Sequence, residues 1–251
     1  MPSFLSDGVE ICFDDVGAGD PVVLVHGWGS TAKQNFGETG WVEMLSSRYR
    51  VIAMDCRGHG RSAKPHREDL YGRAQMAGDV IRLLDHLGVA RALIMGYSMG
   101  ASLVIELLMD RPNRLRVAVL GGIAYDDGIE DPALRTAISK ALLAPNRDGI
   151  EDPVARAYRR FAESTGNDLF ALAAIISAPR KFIDPGNLAQ VTVPTLIVVG
   201  TKDDAIGPHD ELPKMIPASL IVKLEGRDHM TAPSDPLFKD EVAKFFAAAP
   251  P

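Results

Sequence analysis

Leu93-Ile94-Met95-Gly96-Tyr97-Ser98-Met99-Gly100-Ala101-Ser102-Leu103 decides how this chain is read. An apolar run breaks at Gly-x-Ser-x-Gly and then resumes with apolar residues at helical spacing. The pattern predicts a strand that turns sharply into a helix and lifts a serine hydroxyl at the turn. A serine held there sits in strained backbone, and only small neighbours two places away on each side let strand and helix approach so closely. Gly96 and Gly100 meet that demand. The helix also aims its first N–H groups and its positive dipole end at the serine, where an oxyanion can be held.

The same alternation extends in both directions. Phe4-Leu5 and Val9 to Phe13 flank Asp7-Gly8 and read as a hairpin. Val22 to Val25, Tyr49 to Met54, Ala92 to Met95, Val117 to Leu120, Thr195 to Val199 and Leu220 to Leu224 are short apolar runs of the kind buried on both faces. Helix-period stretches separate them: Trp41 to Ser47, Ala74 to Leu87, Met99 to Met109, Asp210 to Ile216 and Asp235 to Phe246. Alternating strands and helices imply a mostly parallel, eight-stranded sheet with helices on both faces, an α/β fold. Residues 123–190 break the pattern. They are rich in Ala and Arg, carry several prolines, and contain two or three amphipathic helices without a clear strand. They read as an insertion over one end of the sheet, a cap on a core made of residues 1–122 and 191–251.

Composition narrows the function. A chain of 251 residues suits one α/β domain of ordinary apolar content. The net charge of −6, without blocks of like charge, argues against a nucleic-acid partner or a polybasic membrane patch. No run approaches the roughly 20 apolar residues of a membrane span, and the first residues lack the basic start and apolar core of an export signal. Cys12 and Cys56 fit free thiols, so a cytoplasmic protein is expected.

A serine hydroxyl needs an adjacent base, and the base needs a third group to fix its tautomer. His229 lies in Glu225-Gly226-Arg227-Asp228-His229-Met230, directly after the last strand, at the sheet face where such folds build their sites. The acid is expected between serine and histidine in chain order. Gly200-Thr201-Lys202-Asp203-Asp204 supplies it, with Asp203 preferred over its neighbour Asp204; Asp126 and Asp127 offer another place for it. His26-Gly27-Trp28-Gly29 can form a tight loop after its strand, so the backbone N–H groups of Trp28 and Met99 are the expected oxyanion donors.

These elements together resemble an α/β-hydrolase-fold serine hydrolase of the carboxylesterase-like kind, with a small helical cap. The matching stretches are His26 to Gly29, Asp55-Cys56-Arg57-Gly58-His59-Gly60-Arg61-Ser62, the turn at Ser98, Gly200 to Asp203, and His229, in the family's order and across nearly the whole chain. The resemblance implies Ser98 as nucleophile, His229 as base and Asp203 as acid, acting on a small-molecule ester without a cofactor or a metal. Two departures stand out: Asp228 where the family often has glycine, and the doublet Asp203-Asp204 where it commonly has one acid. Thioesterase, lactonase, C–C bond hydrolase, acyltransferase and perhydrolase chemistry all use the same three groups, and a non-catalytic ligand-binding receptor can share the fold. Oligomeric state and acyl-chain preference are left open.

Other polar clusters receive plainer readings. Asp55 to Ser62 reads as a turn scaffold, His26 as a residue that orients the oxyanion loop, and Trp28 as a pocket wall as well as an amide donor. His86 is expected on a helix surface, and His66 and His209 in solvated loops. Arg156, Arg159 and Arg160 read as one solvated helix face.

Overall fold

A computed structural model describes residues 2–125, 132–179 and 182–250. The eight expected strands are β1 (Ser3–Ser6), β2 (Val9–Val16), β3 (Pro21–Val25), β4 (Arg50–Met54), β5 (Ala92–Tyr97), β6 (Leu115–Gly121), β7 (Thr195–Gly200) and β8 (Ser219–Leu224). They form one sheet in the order β1-β2-β4-β3-β5-β6-β7-β8. The N-terminal hairpin is antiparallel, as is its junction between β2 and β4; every other pairing is parallel. The central strands β5 and β7 are buried at every residue, which is why their sequences are apolar without alternation. One strand departs from that expectation. β8 is the sheet edge, and Leu220 stands 63% exposed because only β7 flanks it.

Apolar side chains fill both faces of the sheet. On one face α1 (Trp41–Ser46) and the C-terminal helix Pro236–Ala247 bury Trp41, Leu45, Phe238, Val242 and Phe246. The Trp41 and Phe238 rings meet edge-on at 4.9 Å, and the Trp41 indole N–H donates to the Pro233 carbonyl. On the other face lie α2 (Arg73–His86) and α3 (Met99–Asp110), with their leucines and valines in the larger core. Among the described residues no helix is long and apolar enough to cross a membrane.

Between β6 and β7 stand α4 (Pro132–Leu143), α5 (Pro153–Thr165), α6 (Leu169–Ser177) and the single turn α7 (Pro185–Leu188). Asp152, Asp168 and Asp184 start the last three, each accepting a backbone N–H two or three residues on. α4 and α5 fit the expectation of two or three amphipathic helices, and α6 differs from them. α6 is apolar nearly throughout and buried from Ala171 to Ile176, because it lies beneath its neighbours. The reading of Arg159 as solvated is corrected. Its side chain is buried and donates to the carbonyls of Ala141, Leu142 and Ala144, satisfying the open C-terminal end of α4. Tyr158 and Phe161 of α5 pack against Trp28, in the loop that follows β3.

Candidate active site

Ser98 is the residue between β5 and α3, with φ 54° and ψ −117°. That positive φ in a non-glycine residue is strain held by the surroundings. Its N–H donates to Gly121 on β6, and its carbonyl accepts from Ser102 one turn into α3. The two glycines permit the close approach. A Cβ on Gly96 would lie 2.3 Å from the Gly100 carbonyl oxygen, and one on Gly100 would lie 2.0 Å from the Val25 oxygen.

The loops after β7 and β8 are fastened together. Thr201 N–H donates to Leu224, Lys202 N–H to Arg227, and Gly226 N–H to the Thr201 hydroxyl. A Cβ on Gly200 would lie 2.2 Å from the Arg227 oxygen, so only glycine lets these loops touch. Asp203 is 1% exposed there, while Asp204 faces solvent. The unexpected Asp228 has a structural task. Its carboxylate accepts from the N–H groups of Met230 and Thr231, which shapes the turn bearing His229. Those bonds, with the Thr231 hydroxyl, hold the Asp228 carboxyl below the usual carboxylate range.

The three side chains meet. His229 Nδ1 lies 2.8 Å from Asp203 Oδ2, and His229 Nε2 lies 3.0 Å from Ser98 Oγ. A carboxylate only accepts, so the imidazole proton sits on Nδ1 and the Nε2 lone pair faces the serine hydroxyl. The Tyr97 hydroxyl donates to the His229 carbonyl at 2.6 Å, tying the residue before the serine to the histidine loop. Burial, with Asp203 and Asp228 nearby, pushes the Tyr97 phenol far up, so it stays a donor. Asp126 and Asp127 lie outside the described residues.

Trp28 and Met99 line the same cavity as Ser98, which has a volume of about 460 Å³. Met99 opens α3, so its N–H belongs to the first turn. The amides beside Trp28 are both engaged, Gly27 N–H with the Asn35 side chain and Gly29 N–H with His59 Nε2. His59 therefore orients this loop together with His26, whose Nδ1–H donates to the Gly27 carbonyl at 2.8 Å, the role expected of it from the sequence. His26 accepts from Cys56 N–H on Nε2, and its ring stands 5.0 Å from that of His59. Both imidazoles are buried; burial lowers the His26 pKa and pushes His59 down to about 3, so both are neutral bridges. Asp55 supports them as the scaffold reading expects. Burial alone would raise its carboxyl, but the Arg61 side chain and the amides of Ala32 and Arg61 hold it below the usual range. The neighbouring Arg57 makes a fully buried ion pair with Asp79.

The remaining histidines lie outside this constellation. His86 is exposed but stacks on Phe4, and His66 pairs with Asp168 at the start of α6. His209 is half-buried rather than solvated, because its Nε2–H donates to the Asp203 carbonyl at 3.1 Å.

Residues 22–244 match the model of a family described as the alpha/beta hydrolase family. Among curated relatives, the 2-hydroxy-6-oxo-6-(2'-aminophenyl)hexa-2,4-dienoic acid hydrolase of Metapseudomonas resinovorans is 30% identical over 80% of this chain and 73% of its own length. Among solved structures, a hydrolase from Pseudomonas aeruginosa PA01 superposes with a TM-score of 0.82 at 25% identity, covering 98% of each chain. An esterase from Rhodococcus sp. ECU1013 superposes at 0.73 with 27% identity, covering 99% of this chain and 98% of its own.

Proposed function

The chain belongs to the alpha/beta hydrolase family, and we propose that within it the protein is a serine hydrolase that cleaves small carboxylic esters through an acyl-enzyme on Ser98. The observation that carries this reading is the continuous chain of contacts from Asp203 through His229 to Ser98. His229 Nε2 takes the hydroxyl proton as Ser98 Oγ bonds to the acyl carbon. The tetrahedral oxyanion lies against the N–H groups of Trp28 and Met99, donors whose individual worth is typically about 2.7–4 kcal/mol. His229 then gives the proton to the departing alkoxide, leaving the acyl group on Ser98. Water attacks that ester with His229 again as base, and the carboxylic acid departs. Asp203 keeps Nδ1 protonated and steadies the imidazolium. Residues 123–190 act as a cap over a core of residues 1–122 and 191–251, since Tyr158, Ile175 and Ile176 wall the cavity opposite Ser98.

A second reading, cleavage of a C–C bond beside a ketone, draws on the relative named as a dienoic acid hydrolase. An aryl-ester series graded by acyl length, run beside a thioester, a lactone and a vinylogous 1,5-diketone acid, separates the two. Ester turnover that vanishes in Ser98→Ala, together with a fluorophosphonate adduct on Ser98 of the unaltered protein, is the expected result. Equal turnover in Ser98→Ala overturns the assignment, and turnover confined to the diketone acid moves the protein to the second reading.

A further inference from the structure

One side chain of the turn between α5 and α6 reaches the loops beside Ser98. Asn167 is 8% exposed, and both ends of its amide are engaged. Its Oδ1 accepts from Gly60 N–H at 2.9 Å, and its Nδ2 donates to the Gly29 carbonyl at 2.8 Å. The Ser30 carbonyl at 3.3 Å and the Thr165 hydroxyl at 3.2 Å lie within reach of the same nitrogen. These partners fix the amide's orientation, because a main-chain N–H must meet the oxygen and carbonyls must meet the nitrogen. Gly166 ends α5 in the left-handed region at φ 68°, and Asp168 caps α6, so Asn167 is held between two helix ends.

Those bonds bear on a peptide next to the serine. The Gly29–Ser30 peptide is gripped on both sides: its carbonyl accepts from Asn167, and its N–H donates to the Gly27 carbonyl at 3.2 Å. The Gly27 carbonyl also accepts from His26 Nδ1–H at 2.8 Å. Together these donors fix the plane of the Gly27–Trp28 peptide. In that trans peptide the Trp28 N–H points opposite to the Gly27 carbonyl. Gly27 itself abuts the serine, since an added Cβ there would lie 3.2 Å from Ser98 Cβ. Hydrogen bonds joined in this way polarise one another, so a donor lost at Asn167 is felt along the chain.

We propose that Asn167 is a positioning residue of the oxyanion hole: acting through the Gly29–Ser30 peptide, it aims the Trp28 N–H at the developing oxyanion. This rests on Ser98 being the nucleophile and Trp28 an amide donor, and it places one determinant of the rate between α5 and α6. Asn167 acts where the oxyanion bears charge, so it lowers the transition state and leaves ground-state binding unchanged. Gln34 offers a contrast within the same region. Its Nε2 donates to the Thr165 carbonyl at 3.3 Å, a second tie to the end of α5 that bypasses the Gly29–Ser30 peptide.

The test reads kcat and KM on one aryl ester, together with inhibition by an aryl trifluoromethyl ketone. Ser98 Oγ adds to the carbonyl carbon of that ketone, its proton passes to His229, and the adduct's oxyanion occupies the hole. A methyl ketone of the same shape reports ground-state binding. Asn167→Asp keeps the outline and the acceptor for Gly60 N–H while removing the donor. It should lower kcat about tenfold with KM unchanged, less than the loss of about 10²–10³ when an oxyanion donor is removed outright. The trifluoromethyl ketone should weaken by the same factor while the methyl ketone holds. Asn167→Ala, which brings no charge to the carbonyls, should show the same split. Gln34→Met should leave kcat and both ketones near their starting values. A trifluoromethyl ketone bound equally well by the unaltered protein and both Asn167 variants overturns the proposal. So does a loss that Gln34→Met reproduces, or one confined to KM. The ketone comparison needs no turnover, so it decides on Asn167 even if no ester is hydrolysed. A trifluoromethyl ketone that forms no adduct with Ser98 of the unaltered protein overturns the nucleophile assignment itself, and the role of Asn167 falls with it.

Discussion

Two pairs of loops at the same end of the sheet use histidine in opposite ways. The loops 26–29 and 55–62 hold His26 and His59 wholly buried, with ring nitrogens bonded to main-chain groups. The loops after β7 and β8 hold His229 partly exposed, with one nitrogen on a carboxylate and the other on a hydroxyl. A main-chain amide fixes an imidazole as a neutral acceptor and gives it no proton to trade. A carboxylate on one nitrogen and a hydroxyl on the other make the same ring able to take up a proton and hand it back. Proximity to the site therefore does not decide which histidine reacts; the partners of its two nitrogens do.

The sharpest way to break that comparison is to remove each ring in turn. His229→Ala is expected to lower kcat by about 10⁶ with little change in melting temperature, the scale seen when a triad base is lost. His59→Ala should instead act first through stability, since it strips a partner from the buried Gly29 N–H at a cost of about 1–3 kcal/mol. If His59→Ala lost activity as steeply while staying folded, the division between scaffold and reactive histidines would fail. Next in size, Asp203→Asn should lower kcat by roughly 10⁴ through loss of the tautomer control. Asp204→Asn, on an exposed side chain, should leave it near the starting value. Steady-state kinetics on one aryl ester decides both.

How these two regions compare with their sequence explains what could be read early. The turn at Ser98 was legible because its demands are local: small residues at Gly96 and Gly100, an apolar strand before, a helical period after. The sheet was legible for the same reason, since burial on both faces leaves no charged residue in β5 or β7. The choice between Asp203 and Asp204 was not, because both follow β7 in one turn and only the contact with the loop after β8 turns Asp203 inward. The role of His59 was hidden because its partner, Gly29, lies 30 residues away. Arg159 misled for a related reason. Its place on a strongly amphipathic helix suggests solvent, yet the carbonyls ending α4 claim its guanidinium. Asp228 was a departure by sequence and a turn-former by structure.

A smaller effect is expected at Tyr97, which ends β5, bonds the main chain of His229 through its hydroxyl and sets its ring 5.3 Å from the imidazole. Tyr97→Phe keeps the ring and removes the bond, so kcat should fall about tenfold, the scale of one lost hydrogen bond. KM should hold steady, because the change loosens the base without altering the cavity walls. A change in KM alone would assign Tyr97 to substrate packing.

The gentlest probe of the comparison is acid. His59 is pushed down to about 3 by burial, and His26 is lowered for the same reason, while an unfolded chain binds a proton on each near the ordinary 6.5. Between those values the unfolded state holds more protons than the native one, so stability rises with pH and is lost as pH falls from 6.5 toward 3. Asp55 is lowered from 3.8, so its stabilising contribution is retained until the pH falls below that value. Urea unfolding at pH 7 and pH 4.5 therefore isolates the histidines from this carboxylate. His59→Gln retains an acceptor for Gly29 N–H but cannot be protonated, and it should show a smaller loss of midpoint between the two pH values than the unaltered protein. Equal losses in both would mean that the His59 imidazole is already protonated in the folded state, and the distinction between a fixed bridge and a working base would then have to rest on geometry alone.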